Sequence, residues 1–272
     1  MSSIKNSLSG ILRKTGLLYA ADMGRFIFQK INNYNRNQQF KKQDPSFALP
    51  PDYFLYETFT LDYQEYMHQG KCNAEELIDL MRPLTDLSIP GKRILDWGCG
   101  PARVVRHLPW LFSHNHFIYG TDYNHEYINW CSKHLNGISF TANNLYPPLA
   151  FDDNYFDIIY SISILTHLSE KNHYEWINEI KRVLKPGGIF IVSTQGSAYK
   201  DKMLKNEITE FEKGNLVTRN YLKEGHRIFS AFQPEAFMKN VFKDFEIIDC
   251  QKGEEGRSIH GKQDTWIVRK IV

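Results

Sequence analysis

The sequence predicts an α/β protein built on a parallel sheet, and three observations predict it. The stretch Arg93 to Leu108, RILDWGCGPARVVRHL, joins a short apolar strand to a segment of helical spacing through Gly98, Cys99 and Gly100. Strand-like and helix-like segments then alternate as far as Thr194. The second strand of that series, His116 to Thr121, ends in Asp122. Glycines suit such a turn because a missing Cβ admits strained dihedrals and lets a ligand lie against the backbone. A nucleoside cofactor is the expected ligand, with the Asp122 carboxylate placed to accept from both ribose hydroxyls.

The elements follow in order. Helices are expected from Ala102 to Phe112, Asn124 to Leu135 and Lys171 to Leu184, and strands at Ile138 to Ala142 and Phe156 to Ser161. Lys185-Pro186-Gly187-Gly188 reads as a tight turn before a fifth strand, Ile189 to Thr194. Right-handed crossovers place the glycine turn at the carboxyl edge of the sheet. After Gly196 the pattern loosens as far as Ser230, with Glu207 to Lys213 helical; a helix from Pro234 to Val241 and strands Asp244 to Cys250 and Thr265 to Val272 close the chain.

Upstream, Ile4, Leu8, Ile11 and Leu12 recur at helical spacing beside Lys5, Arg13 and Lys14. This basic amphipathic helix either packs on the main domain or lies on an anionic membrane surface. A second helix is expected from Leu17 to about Phe40, ended by Asp44-Pro45 and Pro50-Pro51. The aromatic run Tyr53 to Met67 forms either a lid or a fastening of the arm to the core. A helix from Asn73 to Leu87 leads to the turn at Pro90-Gly91.

The chain has 272 residues, 42% of them hydrophobic, enough for a large core, and a formal net charge of +2 that gives no whole-chain footprint for nucleic acid. Basic residues gather between Met1 and Lys42, opposed there by Asp22 alone. Cys72, Cys99, Cys131 and Cys250 stand at neither metal-ligand nor redox-motif spacing, as in a reduced cytoplasmic protein. His114 and His116 have no carboxylate cluster beside them, so no metal is expected. The cytoplasm is the expected location, with a peripheral position at the inner membrane face as the role of the arm at residues 1–42.

DWGCGPA at Asp96 to Ala102, Asp122 after the second strand, FDIIYSISILTHL at Phe156 to Leu168 and RVLKPGGIFIVST at Arg182 to Thr194 together resemble the Rossmann-like (class I) S-adenosylmethionine-dependent methyltransferases. A dinucleotide oxidoreductase would want a third glycine where Arg103 stands. The resemblance implies a seven-stranded, mostly parallel sheet of order 3-2-1-4-5-7-6 with strand seven antiparallel. Residues 71–272 would be the S-adenosylmethionine-binding methyltransferase domain and residues 1–70 a helical N-terminal extension.

The resemblance also implies roles. Gly98 and Gly100 would admit the methionine end of the cofactor, and Asp96 would support the turn or reach the cofactor's amino group through water. Asp122, with Tyr123 beside it, would take the ribose. Asn144 and Leu145 would border the adenine, Asn144 being equally well a turn residue. Ser161 would lie near the sulfonium. The motif's last glycine position holds Ala102, small enough for binding to survive. His167 is the candidate general base, or else a cap for the following helix. Tyr199, His226 and His260 are second-rank candidates for the acceptor pocket. Ser161-Ile162-Ser163 after the fourth strand disfavours methylation of base or amide nitrogens. The expected function is therefore methyl transfer to a small-molecule or glycan acceptor, the latter including lipid-linked forms, on oxygen ahead of nitrogen; a non-catalytic binding module and an RNA methyltransferase are the alternatives.

Overall fold

A computed structural model describes residues 18–219, 223–256 and 258–271. Seven strands form one sheet: β1 Arg93–Trp97, β2 Phe117–Asp122, β3 Ser139–Ala142, β4 Phe156–Ser161, β5 Leu184–Thr194, β8 Phe245–Gln251 and β9 Asp264–Lys270. Their order is β3-β2-β1-β4-β5-β9-β8, with β9 antiparallel to β5 and β8. This is the expected Rossmann-like methyltransferase topology. Alternate residues of each strand serve opposite faces. Leu95, Trp97, Ile159 and Phe190 join one apolar layer with Trp176 and Ile180, whereas Ile94, Ile158, Ile191 and Ile267 join the other with Leu77 and Leu108.

Helices α6 His125–His134 and α7 Glu170–Val183 connect strands as expected, each opened by a side-chain cap, Asn124 on Glu126 N–H and Ser169 on Asn172 N–H. The helix expected from Ala102 to Phe112 is much reduced. A 3-10 turn, Val105–His107, and a four-residue helix α5, Leu108–Leu111, stand there instead. Ala102 takes a left-handed φ of 62°, which delays the helix, and the next side chains turn inward rather than along a helical face.

The expected N-terminal helix is two, α1 Leu18–Asn32 and α2 Tyr34–Gln43. Asn33 breaks them because its amide is drawn to Leu61 O at 2.9 Å. The helix expected from Asn73 begins earlier, as α4 Tyr63–Met81, capped by Asp62, so position 70 lies inside one helix. Between them stands α3, Asp52–Thr58. Phe40, Leu55, Tyr56, Leu61, Tyr63 and Tyr66 form a small core of their own, and Tyr66 donates to Pro101 O at 3.0 Å. The aromatic run thus fastens the extension directly to the glycine turn.

The segment after Gly196 is more ordered than its sequence suggests. Helix α8 Lys205–Glu212 and the pair β6 Val217–Arg219 and β7 Ser230–Phe232 enclose Met203, Phe211, Val217 and Phe232, and α9 Glu235–Val241 follows. Strands of three residues carry too short an alternation to read. The basic helix expected at Ile4 to Leu12 lies outside the described residues. Among the described residues no helix is long and apolar enough to cross a membrane.

Candidate active site

The strand β1 delivers its chain into the glycine turn, and the turn folds back over the end of β2. Gly98 and Cys99 N–H groups donate to Thr121 O at 2.7 and 2.9 Å. Gly100 N–H donates to Asp122 Oδ2 at 2.9 Å, and Asn124 N–H donates to Oδ1 at 2.8 Å. Burial pushes Asp122 up to about 6, against the pull of these donors. Asp96 is also buried, accepts the Tyr160 hydroxyl at 2.9 Å and is pushed by burial up to about 7. Gly98 has φ of 81°, and a Cβ there would stand 2.2 Å from the Ile164 side chain, so the turn keeps its space only as glycine.

Two cavities open beside this turn. The smaller, about 50 Å³, lies between Tyr123, Leu145, Trp97, Leu168 and Trp176. Trp176 Nε1 donates to Leu145 O at 3.0 Å, which fixes that wall. Asn143 also lines it, and its Oδ1 is buried with no hydrogen-bond partner among the described residues. A largely apolar slot with an orphan acceptor suits an aminopurine.

The larger cavity, about 150 Å³, is lined by Asp96, Gly100 and Asp122, by His167 and His260, and by Glu57, Arg103 and Arg227. Glu57 comes from α3, and its carboxylate accepts the Tyr127 hydroxyl. Arg103 is buried; Nη1 donates to Asn73 Oδ1 at 2.8 Å and the guanidinium covers the Phe59 ring at 4.5 Å. Asn73 is held in turn by donating to Ile259 O at 2.7 Å. No carboxylate reaches Arg103 at salt-bridge distance among the described residues, leaving a buried cation turned to the cavity.

His167 Nδ1 lies 2.8 Å from Phe229 O, a contact that requires Nδ1–H and leaves the Nε2 lone pair free. Burial lowers its pKa, keeping the ring neutral near pH 7. Burial, and then Arg103, lower His260 to about 4. Residues 223–229 strap the two cavities. Gly225 N–H donates to His167 O at 3.0 Å, Tyr123 donates to Gly225 O at 3.1 Å, and Arg227 donates to Tyr56 O at 2.8 Å.

Of the residues singled out in the sequence, Asp96, Gly98, Gly100, Asp122, Tyr123, Asn144, Leu145, His167 and His260 all line these cavities. Ser161 does not: its hydroxyl donates to Trp97 O at 2.9 Å and ties β4 to β1. His226 stands behind Glu57, Nε2 to Oε1 at 3.7 Å. Tyr199 lines neither cavity and packs beside the Met203–Phe211 cluster. Sequence reasoning missed Glu57, Asn143 and Trp176, and met Arg103 only as a departure from a motif. The doubled Asn143-Asn144 was the available signal for one of them.

Residues 95–192 match the family model of a methyltransferase domain. A fatty-acid O-methyltransferase of Mycolicibacterium smegmatis is 30% identical over 127 residues, 46% of this chain and 42% of that protein. A tRNA (carboxymethyluridine(34)-5-O)-methyltransferase of Arabidopsis thaliana is 34% identical over 125 residues, 45% of this chain and 29% of that protein. The chain thus spans less than half the length of these curated relatives. A solved S-adenosylmethionine-dependent methyltransferase of Methanosarcina mazei shares the fold at 22% identity, TM-score 0.53, covering 71% of this chain and 97% of that one. Residues 95–192 therefore read as a methyltransferase domain, on the fold shared with solved S-adenosylmethionine-dependent methyltransferases. The two relatives name unlike acceptors, a fatty acid and a tRNA, so the shared stretch speaks for the cofactor half of the site.

Proposed function

We propose that this chain is a methyltransferase that transfers the methyl group of S-adenosylmethionine to a polar oxygen of a small-molecule or glycan acceptor. The observation that supports it most is the conjunction at Gly98 of an apolar adenine slot, a ribose-facing Asp122 and a polar cavity holding His167. S-adenosylmethionine, when bound, supplies an electrophilic methyl on a sulfonium with a neutral thioether as leaving group. Asp122 receives the ribose hydroxyls, Asn143 and Asn144 the adenine edge, and Tyr123 and Leu145 its faces. Asp96 faces the amino end, and Arg103, a buried cation without a carboxylate, receives the α-carboxylate.

His167 takes the acceptor's proton at Nε2 while the acceptor oxygen bonds the methyl carbon and the sulfur keeps the electron pair. Alignment does most of the remaining work, since the leaving group needs no protonation. Glu57 and Arg227 give the acceptor end charge and His260 a neutral imidazole, a polar lining that favours a hydroxylated or anionic reacting group over a bare hydrocarbon. His226 acts from behind this lining, against Glu57.

Calorimetry with S-adenosylhomocysteine tests the reading. Micromolar binding that is lost in Asp122→Ala supports it, and absence of binding to the unaltered chain overturns it. Release of S-adenosylhomocysteine over a panel of hydroxylated and carboxylated acceptors then separates an enzyme from a binding module; His167→Ala should keep cofactor affinity and lose turnover on the order of a hundredfold or more.

A further inference from the structure

Among the described residues the outer face of α1 is left largely uncovered. Its inner face packs on the extension's core, with Phe26 against Tyr53 and Tyr56 at 5.4 and 5.3 Å. From the edge of that packed face outward Tyr19, Met23, Ile27 and Ile31 recur every fourth residue, with Phe28 and, on α2, Tyr34 beyond them. All six are exposed, Ile31 by 72% and Phe28 by 66%. A continuous apolar stripe of this kind along a helix of 15 residues is uncommon on a solvated surface.

Charge selects what covers it. Residues 1–42 carry Lys5, Arg13, Lys14, Arg25, Lys30, Arg36, Lys41 and Lys42 against Asp22 alone. Asp22 is turned inward, accepting the Tyr56 hydroxyl at 2.7 Å, so it neutralises none of the outer face. Lys30 and Arg36 pair with Asp52 and Asp62 yet stay 56% and 57% exposed. A second copy of this face, or residues 1–17 laid across it, would set basic groups against basic groups. An anionic lipid surface offers both an apolar layer for the stripe and phosphates for the cations.

We propose that α1 is an interfacial helix by which the protein docks on an anionic membrane surface. Its stripe starts at Tyr19, whose ring meets His226 edge-on at 5.7 Å, and His226 faces Glu57 of the larger cavity. Docking thus brings the acceptor side of the site to the bilayer, where a polar acceptor carried on a lipid is held. The docking itself does not depend on the methyl-transfer reading, because cofactor binding and membrane binding are measured separately.

The test is sedimentation of the full chain with vesicles of phosphatidylcholine alone and of phosphatidylcholine mixed with phosphatidylglycerol. The unaltered protein should sediment with the anionic vesicles and be released by added salt. Ile27→Ser/Phe28→Ser/Ile31→Ser should lose partitioning on the order of tenfold or more, with S-adenosylhomocysteine affinity and circular dichroism unchanged. If the triple variant misfolds, Ile31→Ser alone, at the most exposed position, should show a smaller loss of the same kind. The inference fails if the unaltered chain stays in the supernatant with anionic vesicles, or if the folded variants partition as it does. It also fails if light scattering shows a dimer that the triple variant disrupts while vesicles bind neither form.

Discussion

The Tyr127 hydroxyl donates to the Glu57 carboxylate, so the helix that follows strand β2 is latched to a helix of the N-terminal extension. Both groups line the larger cavity. Burial, followed by the charge of Glu57, raises the Tyr127 pKa, which keeps its proton in the bond at any working pH. Glu57→Gln and Tyr127→Phe should each lower stability by about 1 kcal/mol, since a partly buried bond to a charged group is broken. The double variant should lose little more than either single one, a coupling of about 0.5 kcal/mol or more in a denaturation cycle. Strict additivity would show that the latch carries no energy.

Arg103 is the second prediction. If its buried guanidinium holds the cofactor's α-carboxylate, Arg103→Gln should weaken S-adenosylhomocysteine on the order of tenfold to a hundredfold, as for loss of a charged hydrogen bond. Methylthioadenosine, which has the same nucleoside and no carboxylate, should bind the variant as well as the unaltered chain. Equal losses for both ligands would reassign Arg103 to holding Asn73 and Phe59 in place. Unchanged affinity for both, with a raised acceptor KM, would move it to the acceptor.

These two residues show where legibility stops. The strands, the glycine turn and Asp122 could be read because each signal is local: an apolar alternation, a missing Cβ, an acid at a strand end. Glu57 could not, because it reaches the cavity only once Tyr66 and Leu61 have fastened the extension onto the turn, a matter of tertiary packing. Arg103 stood in plain view as a broken motif, yet its use depends on Asn73, thirty positions upstream, and on Ile259 far downstream. Ser161 was misplaced for the converse reason: strand position puts it near the site, but Trp97 O takes its hydroxyl. The strap at 223–229 lacks any periodicity that would have announced it.

The glycine turn gives a pair of opposed substitutions. Ala102 sits at φ of 62°, a conformation that disfavours a Cβ by about 1 kcal/mol, so Ala102→Gly should leave the melting temperature unchanged or raise it slightly. Gly98→Ala meets Ile164 at 2.2 Å in addition to its φ of 81°, and should abolish S-adenosylhomocysteine binding while costing stability. Similar outcomes for the two would deny Gly98 its special place. Calorimetry and thermal melts decide between them.

Asp96 links the site to pH. Its folded-state pKa is about 7, raised chiefly by burial, against about 4 in an unfolded chain. Between those values the folded state binds the extra proton, so stability rises as pH falls from 8 toward 5 and is lowest where Asp96 is charged. The slope from this one carboxylate is at most about 1.4 kcal/mol per pH unit. Asp96→Asn keeps an acceptor for the Tyr160 hydroxyl and removes the buried charge. It should therefore raise the melting temperature of the ligand-free protein at pH 8, do little at pH 5, and flatten the profile between them. If Asp96 faces the cofactor's amino group as proposed, cofactor affinity should move the other way, because the amide gives up that negative charge. A variant that is no more stable than the unaltered chain at pH 8, or that keeps the full pH slope, would show that Asp96 is not the group storing that cost.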